Sequence, residues 1–205
     1  MNFICIEGNI GAGKTTLAKK LANHFNYEFL PEQFEKNTLL PLFYNEPAKF
    51  AYTLEFSFLI DRFQQLMQWK NTFEKKHVIS DYHFYKCLCF AKANLSDEQF
   101  QLFEHEFFKL NELITKPNFI IYLNLETNDL LNNIQNRNRR AESSITSNYL
   151  LKISESYNCI YTSLNTVTKF TFKISSITDK TYELILNEII SIINSGFFKP
   201  GTFNL

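Results

Sequence analysis

The chain has 205 residues, with 21 basic and 21 acidic side chains and a formal net charge of zero. That balance argues against a nucleic acid as its partner, because polyanion binders carry a basic surplus. It also lacks an apolar run of roughly 20 residues that could span a membrane; the run near Ile189 to Ile193 is short and broken by Ser191. Apolar runs of strand length alternate with segments of helical period, the pattern of an α/β chain built on a parallel sheet. In chain order this predicts strand 2–7, helix 14–25, strand 27–30, helix 47–72, strand 77–80, and helices 83–92 and 96–114. Strand 118–124, helices 127–136 and 144–163, strand 168–174 and helix 179–194 follow. Pro41 and Pro47 bracket the start of the long helix, Ser96 reads as a helix cap, and Pro117 precedes the fourth strand. Gly196 and Pro200-Gly201 mark a loose C-terminal tail over 196–205. No repeat or linker divides the chain, so 1–205 reads as a single domain with five parallel strands.

Cysteines stand at 5, 87, 89 and 159, without zinc spacing. They read as reduced thiols, and with the first strand opening at Phe3 the expectation is a cytoplasmic protein without a secretory leader. The 22 phenylalanines and 10 tyrosines are expected to fill the core rather than to form a nucleic-acid platform.

Residues Gly8-Asn9-Ile10-Gly11-Ala12-Gly13-Lys14-Thr15 fit G-x-x-x-x-G-K-S/T, between the strand Phe3 to Ile6 and a helix starting with Thr16. Three of the five glycines lie in this loop. Its backbone N–H groups and the positive end of the helix suit the phosphates of a nucleoside triphosphate. Lys14 would reach the β and γ oxygens, and the Thr15 hydroxyl would ligate Mg²⁺.

Ligands of open α/β sheets bind beyond the carboxyl ends of the strands. The second strand is followed by Glu32, the third by Asp81 and Tyr82, and the helix after the fourth by Arg137, Arg139, Arg140 and Glu142. Either acid could accept the proton of an alcohol acceptor, leaving the other to hold Mg²⁺. The arginines suit a lid that brings charge to a transferring phosphoryl group, although a short basic turn on the surface has the same pattern. Glu55 and Arg62, seven residues apart, share one helical face with Leu59 and Leu66 and could read the edge of a base; a surface ion pair is the bland alternative.

Together these residues resemble the deoxynucleoside kinase family. The resemblance runs from Phe3 to about Tyr161, through the phosphate loop, Glu32 with Asn37 and Phe43-Tyr44, Glu55 with Arg62, Asp81, and Arg137-Asn138-Arg139 with Glu142. It implies a three-layer P-loop kinase fold with an arginine-bearing lid, MgATP as donor and transfer to a 5′-hydroxyl. It also implies that Glu32 is the general base, that Tyr44 and Glu142 hold the sugar 3′-hydroxyl, and that Arg62 lies by the base. Asp81 matches an acid tied to Mg²⁺ or to base catalysis, and Arg137 and Arg139 match lid arginines. The loop Ser175 to Asp179 should lie by the donor adenine, and the family commonly forms homodimers. Tyr82 and Cys87 complete the expected substrate contacts.

The chain departs from the family at several points. Asp81 is followed by Tyr82-His83, so the family motif's arginine and serine are missing, and Lys86 is a candidate for the lost charge. Glu55 replaces a base-reading glutamine, Cys87 an acid near the base, and Asn133 a lid arginine. The resulting expectation is a purine deoxynucleoside kinase, deoxyadenosine first. A pyrimidine deoxynucleoside kinase, a thymidylate-like monophosphate kinase and a catalytically silent nucleotide-binding module are the alternatives.

Overall fold

A computed structural model describes residues 2–139, 142–164, 167–196 and 199–205. Six parallel strands form one sheet: β1 Phe3–Gly8, β2 Glu28–Leu30, β3 Val78–Ser80, β4 Phe119–Leu125, β5 Thr168–Ile174 and β6 Gly201–Asn204. Their order is β2-β3-β1-β4-β5-β6. The chain moves to one side of β1 for β2 and β3 and to the other for β4 and β5, so the order reverses at β1. A crevice opens at such a reversal, beyond the carboxyl ends of the strands.

The helices are α1 Lys14–Phe25, α2 Leu39–Asn45, α3 Pro47–Gln68, α4 Lys70–Lys75, α5 Lys86–Asn94, α6 Asp97–Asn111, α7 Thr127–Arg137, α8 Ser147–Ser163 and α9 Asp179–Ser195. Successive strand residues point to opposite faces. Phe3 and Cys5 of β1, with Ile120 and Tyr122 of β4, therefore pack against α3, α5, α6 and α8. Ile4, Ile6, Phe119 and Ile121 pack on the other face against α1, α7 and α9. Burial on both faces explains why these strands read as continuous apolar runs rather than alternating ones.

Three departures from the sequence reading concern the fold. The segment expected to be a loose tail supplies β6, which pairs with β5 from Phe170↔Gly201 to Lys173↔Asn204. Phe203 stacks on Phe172 with ring centroids 4.8 Å apart, so the edge strand has an apolar anchor that four residues after Pro-Gly do not advertise. The long helix breaks at Trp69, whose ψ of −1° separates α3 from α4. The additional helix α2 follows Asn37, whose side chain accepts from Leu39 N and donates to Ser57 of α3. Ser96 does cap α6, in a reciprocal box with Gln99. Among the described residues no helix is long and apolar enough to cross a membrane.

Candidate active site

The phosphate loop closes over the start of α1 with Gly11 at φ 85° and Gly13 at φ 77°. A side chain at Gly11 would also stand 2.5 Å from the Leu130 carbonyl, so the position requires glycine twice over. Three helices hold the loop. Asn9 Nδ2 donates to Leu150 O and Ser154 Oγ of α8, both at 2.8 Å. Asn133 Nδ2 of α7 donates to Gly11 O at 3.0 Å, and the Tyr182 hydroxyl of α9 donates to Gly13 O at 3.3 Å. The loop is thus fixed from behind, a condition for electrostatic stabilisation without reorganisation.

The loop borders a cavity of about 540 Å³ at the carboxyl end of the sheet. Ile10 to Thr16 form one wall, and Lys14 Nζ donates to Asn9 O at 2.8 Å. Burial, reinforced by the nearby charge of Lys86, lowers the Lys14 ammonium to about 8. Gly8, Asn9 and Asp81 stand one layer behind this wall.

Pairing of β2 with β3 sets Leu30 beside Ser80, which delivers Glu32 and Asp81 to neighbouring positions. Asp81 accepts from the Thr15 hydroxyl at 2.5 Å and from Glu32 N at 2.7 Å. Two hard oxygens side by side suit Mg²⁺, which commonly takes one or two protein oxygens and fills its octahedron with phosphates and water. Among the described residues no trio of His, Cys, Asp or Glu could cage a metal without substrate.

Glu32 is clamped. Its Oε1 accepts from Arg62 Nε at 3.2 Å and Nη2 at 2.7 Å, and its Oε2 from Lys86 Nζ at 2.6 Å. Burial would push this carboxyl up, but the charges of Lys86 and Arg62 outweigh it and bring it down to about 2. Arg62 spends its remaining nitrogen on Cys87 Sγ at 3.3 Å and lays its guanidinium over the Phe58 ring. Arg62 borders the cavity together with Glu55, and its described hydrogen bonds go to Glu32 and Cys87.

Glu55 points into the cavity from α3 with 1% of its surface exposed. Its Oε1 accepts from Asn94 Nδ2 at 2.7 Å, whereas its Oε2 has no partner among the described residues. Burial, only partly opposed by Asn94 and Arg62, pushes the carboxyl up to about 7. Leu54, Phe58, Phe90 and Tyr149 also border the cavity, forming apolar and aromatic walls around this acid. A flat ring with polar edges fits such a slot.

At the lid end, Arg137 Nε donates to Glu142 Oε2 at 2.7 Å. Arg139 lies 3.7 Å from Glu142 Oε1 and 3.6 Å from Glu35, over the Phe34 ring. Both arginines, Glu142 and Tyr44 border the cavity. Arg140 lies outside the described residues.

Two expected substrate contacts do not reach the cavity. Tyr82 is 1% exposed and donates to Gln65 Oε1 at 2.7 Å, and Cys87 is fully buried behind Arg62. Both side chains support the wall instead of forming it. Sequence reasoning missed Asn94 and Tyr149, which hydrogen-bond one another behind Glu55 at 3.2 Å. It also missed Phe90, whose ring lies 5.4 Å from the Lys86 ammonium. The four-residue spacing of Lys86 and Phe90 on a helix was the one available signal.

A family model described as deoxynucleoside kinase matches residues 4–194. The chain belongs to the deoxynucleoside kinase family. Like the family's other members it is an ATP-dependent phosphotransferase. It is 40% identical over 157 residues to a deoxyguanosine kinase of Bacillus subtilis (strain 168), covering 76% of each chain. To a deoxyadenosine kinase of Dictyostelium discoideum it is 32% identical over 163 residues, covering 76% of this chain and 64% of that one. A deoxyadenosine kinase of M. mycoides, solved with dCMP and a flexible dCDP bound, superposes with a TM-score of 0.80 at 23% identity, over 94% of this chain and 99% of that one. This likeness shows the shared fold.

Proposed function

We propose that this kinase transfers the γ-phosphoryl group of MgATP to the 5′-hydroxyl of a purine deoxynucleoside. The observation that carries the acceptor assignment is Glu32, held ionised between Arg62 and Lys86 on the cavity wall beside Lys14 and Thr15. A carboxylate there accepts a hydrogen bond from an alcohol and repels an acceptor that already carries a phosphate, which disfavours a monophosphate kinase. At about 2 its basicity toward a free alcohol is low. The transition state of such transfers is loose, however, and the hydroxyl becomes acidic as its bond to phosphorus forms. Glu32 therefore orients the O–H first and takes its proton late.

Thr15 and Asp81 would hold Mg²⁺, which would neutralise charge on the donor phosphates. Gly8 to Thr16 cradle the phosphates, Lys14, Arg137 and Arg139 balance their charge, and Tyr44 with Glu142 hold the sugar. Ile177 and Tyr182, packed on Gly13, place the loop Ser175 to Asp179 against the phosphate loop, which supports its role beside the donor adenine. The outer faces of α3 and α6 leave Ile60, Met67, Leu102 and Phe108 exposed, which supports a homodimer through these helices.

Deoxyadenosine is the first reading of the acceptor. A neutral Glu55 donates its proton to an adenine ring nitrogen while its carbonyl oxygen accepts from the 6-amino group. Deoxyguanosine is the second reading, favoured by the B. subtilis relative. An ionised Glu55 accepts from the N1–H and 2-amino groups of guanine. With the carboxyl near 7, rising pH should move the ranking from adenine toward guanine. ATP turnover with the four deoxynucleosides, measured as kcat/KM at pH 6 and pH 8.5, tests both parts. Preference for thymidine or deoxycytidine tenfold over both purines overturns the purine assignment, and a ranking independent of pH removes the ionisation of Glu55 from base choice.

A further inference from the structure

The loop after β3 ends where α5 begins, and the first residue of α5 is Lys86. Its backbone N–H is satisfied by His83 O, and its side chain is only 8% exposed. Burying an ammonium is costly unless its donors are used. Lys86 has three N–H donors, and Glu32 Oε2 is the one acceptor that the described residues give it. Lys86 is not the only partner of Glu32, because Arg62 donates to the same carboxylate twice.

Lys86 also borders the cavity along with Lys14 and Thr15. The two ammonium groups are close enough that the charge of Lys86 depresses that of Lys14. Two like charges buried on one wall repel each other, and an anion between them turns that repulsion into attraction. The neighbouring carboxyl Glu7 lies behind the wall, where Gly8 N, His83 N and the Tyr157 hydroxyl occupy it.

We propose that Lys86 is a catalytic residue whose ammonium binds the phosphoryl group as it reaches the acceptor oxygen, opposite Lys14 on the donor side. In that step the 5′-O–H bond breaks and its proton passes to Glu32. The 5′-oxygen bonds to the γ-phosphorus, and the bond from phosphorus to the β,γ-bridging oxygen breaks with its electron pair going to ADP. Lys86 keeps its protons throughout and ends bound to the new 5′-monophosphate. The inference rests on the phosphoryl-transfer reading of this cavity, since it assigns Lys86 a place in that reaction.

The test compares Lys86→Met and Lys86→Gln with the wild type, alone and combined with Glu32→Gln. Both single variants should lose about 10²–10³-fold in kcat, although Lys86→Gln can still donate to Glu32. Nucleoside affinity, followed by equilibrium titration, should change less than about threefold, while affinity for the nucleoside 5′-monophosphate should fall at least tenfold. The loss in kcat should persist when Lys86→Met is made in the Glu32→Gln background, because the phosphoryl group is still there to be bound. Near-normal turnover of Lys86→Gln, or disappearance of the Lys86→Met effect in the Glu32→Gln background, would show that Lys86 serves only to hold Glu32 and overturns the proposal. Unaltered turnover of Lys14→Ala and Glu32→Gln would instead refute the phosphoryl-transfer reading itself. Melting curves of each variant confirm the fold, which Arg62 secures by keeping Glu32 paired.

Discussion

Replacing Glu55 by Gln should make the protein more stable at alkaline pH while spoiling its choice of base. Glu55 is 1% exposed, its Oε2 has no partner among the described residues, and burial raises the carboxyl from 4.5 to about 7. Below pH 4.5 it is neutral in both the folded and the unfolded chain, and burial carries no ionic cost. Between 4.5 and about 7 the unfolded chain releases the proton while the folded chain keeps it, so stability falls as pH rises. Above about 7 the full cost is present, about 3 kcal/mol at 1.36 kcal/mol per pH interval. The amide of Gln is neutral throughout and can still accept from Asn94. For a chain of this size each kcal/mol moves Tm by roughly 2–4 °C, so the variant should melt about 6–12 °C above the wild type at pH 8.5. At pH 5 the gap should shrink to about 1–3 °C, since most of the ionic cost is not yet present. Paired thermal unfolding curves at the two pH values measure this directly, because comparing the proteins at each pH cancels the titration of every other group. A gap independent of pH, or a variant that melts lower at pH 8.5, would refute the argument that Glu55 is a carboxyl held near neutrality by burial. The same protein should lose discrimination among bases while still transferring phosphate, a trade of stability against function at a binding site.

Further outcomes follow from the site and the sheet. Lys14→Ala should lower kcat about 10²–10³-fold. In the wild type, kcat/KM for ATP should fall as pH rises through about 8, where the free enzyme's Lys14 loses its proton; a flat profile to pH 9.5 contradicts this. Glu32→Gln should lower kcat about 10²-fold, at the low end for a base of such weak basicity, with little change in nucleoside KM, whereas Asp81→Asn should mainly raise the Mg²⁺ concentration needed for half-maximal rate; the opposite pattern moves the base to Asp81. Phe203→Ala should remove the stack on Phe172 and lower Tm by roughly 4–8 °C, at about 2 kcal/mol for the lost aromatic pair and its buried area. An unchanged melt would mean that β6 contributes nothing to the sheet.

What the sequence by itself determined were the features that depend on a short stretch of backbone or on a periodicity. The glycines, Lys14 and Thr15 are contiguous, and their positive-φ turn into a helix is local chemistry. The parallel sheet was visible because β1 and β4 are apolar runs, β5 alternates Phe170, Phe172 and Ile174 with polar residues, and segments of helical period lie between the strands; the strand-end rule took Glu32 and Asp81 to one crevice. The direction of a long side chain is not local. Arg62 could have faced Glu55 on its own helix, and only the packing of α3 against β2 and α5 turned it to Glu32. Tyr82 and Cys87 follow the right strand, yet burial set them behind the wall, where Gln65 and Arg62 satisfy them. The four residues of β6 carry too little pattern to be read as a strand, and they become one only because the edge of β5 and the face of Phe172 are there to receive them. The pairing of Glu32 with Lys86, 54 residues apart in the chain, joins the end of β2 to the start of α5. Sequence spacing cannot encode it, because the meeting of two charged groups depends on how the sheet stacks its strands and on which helix covers the gap.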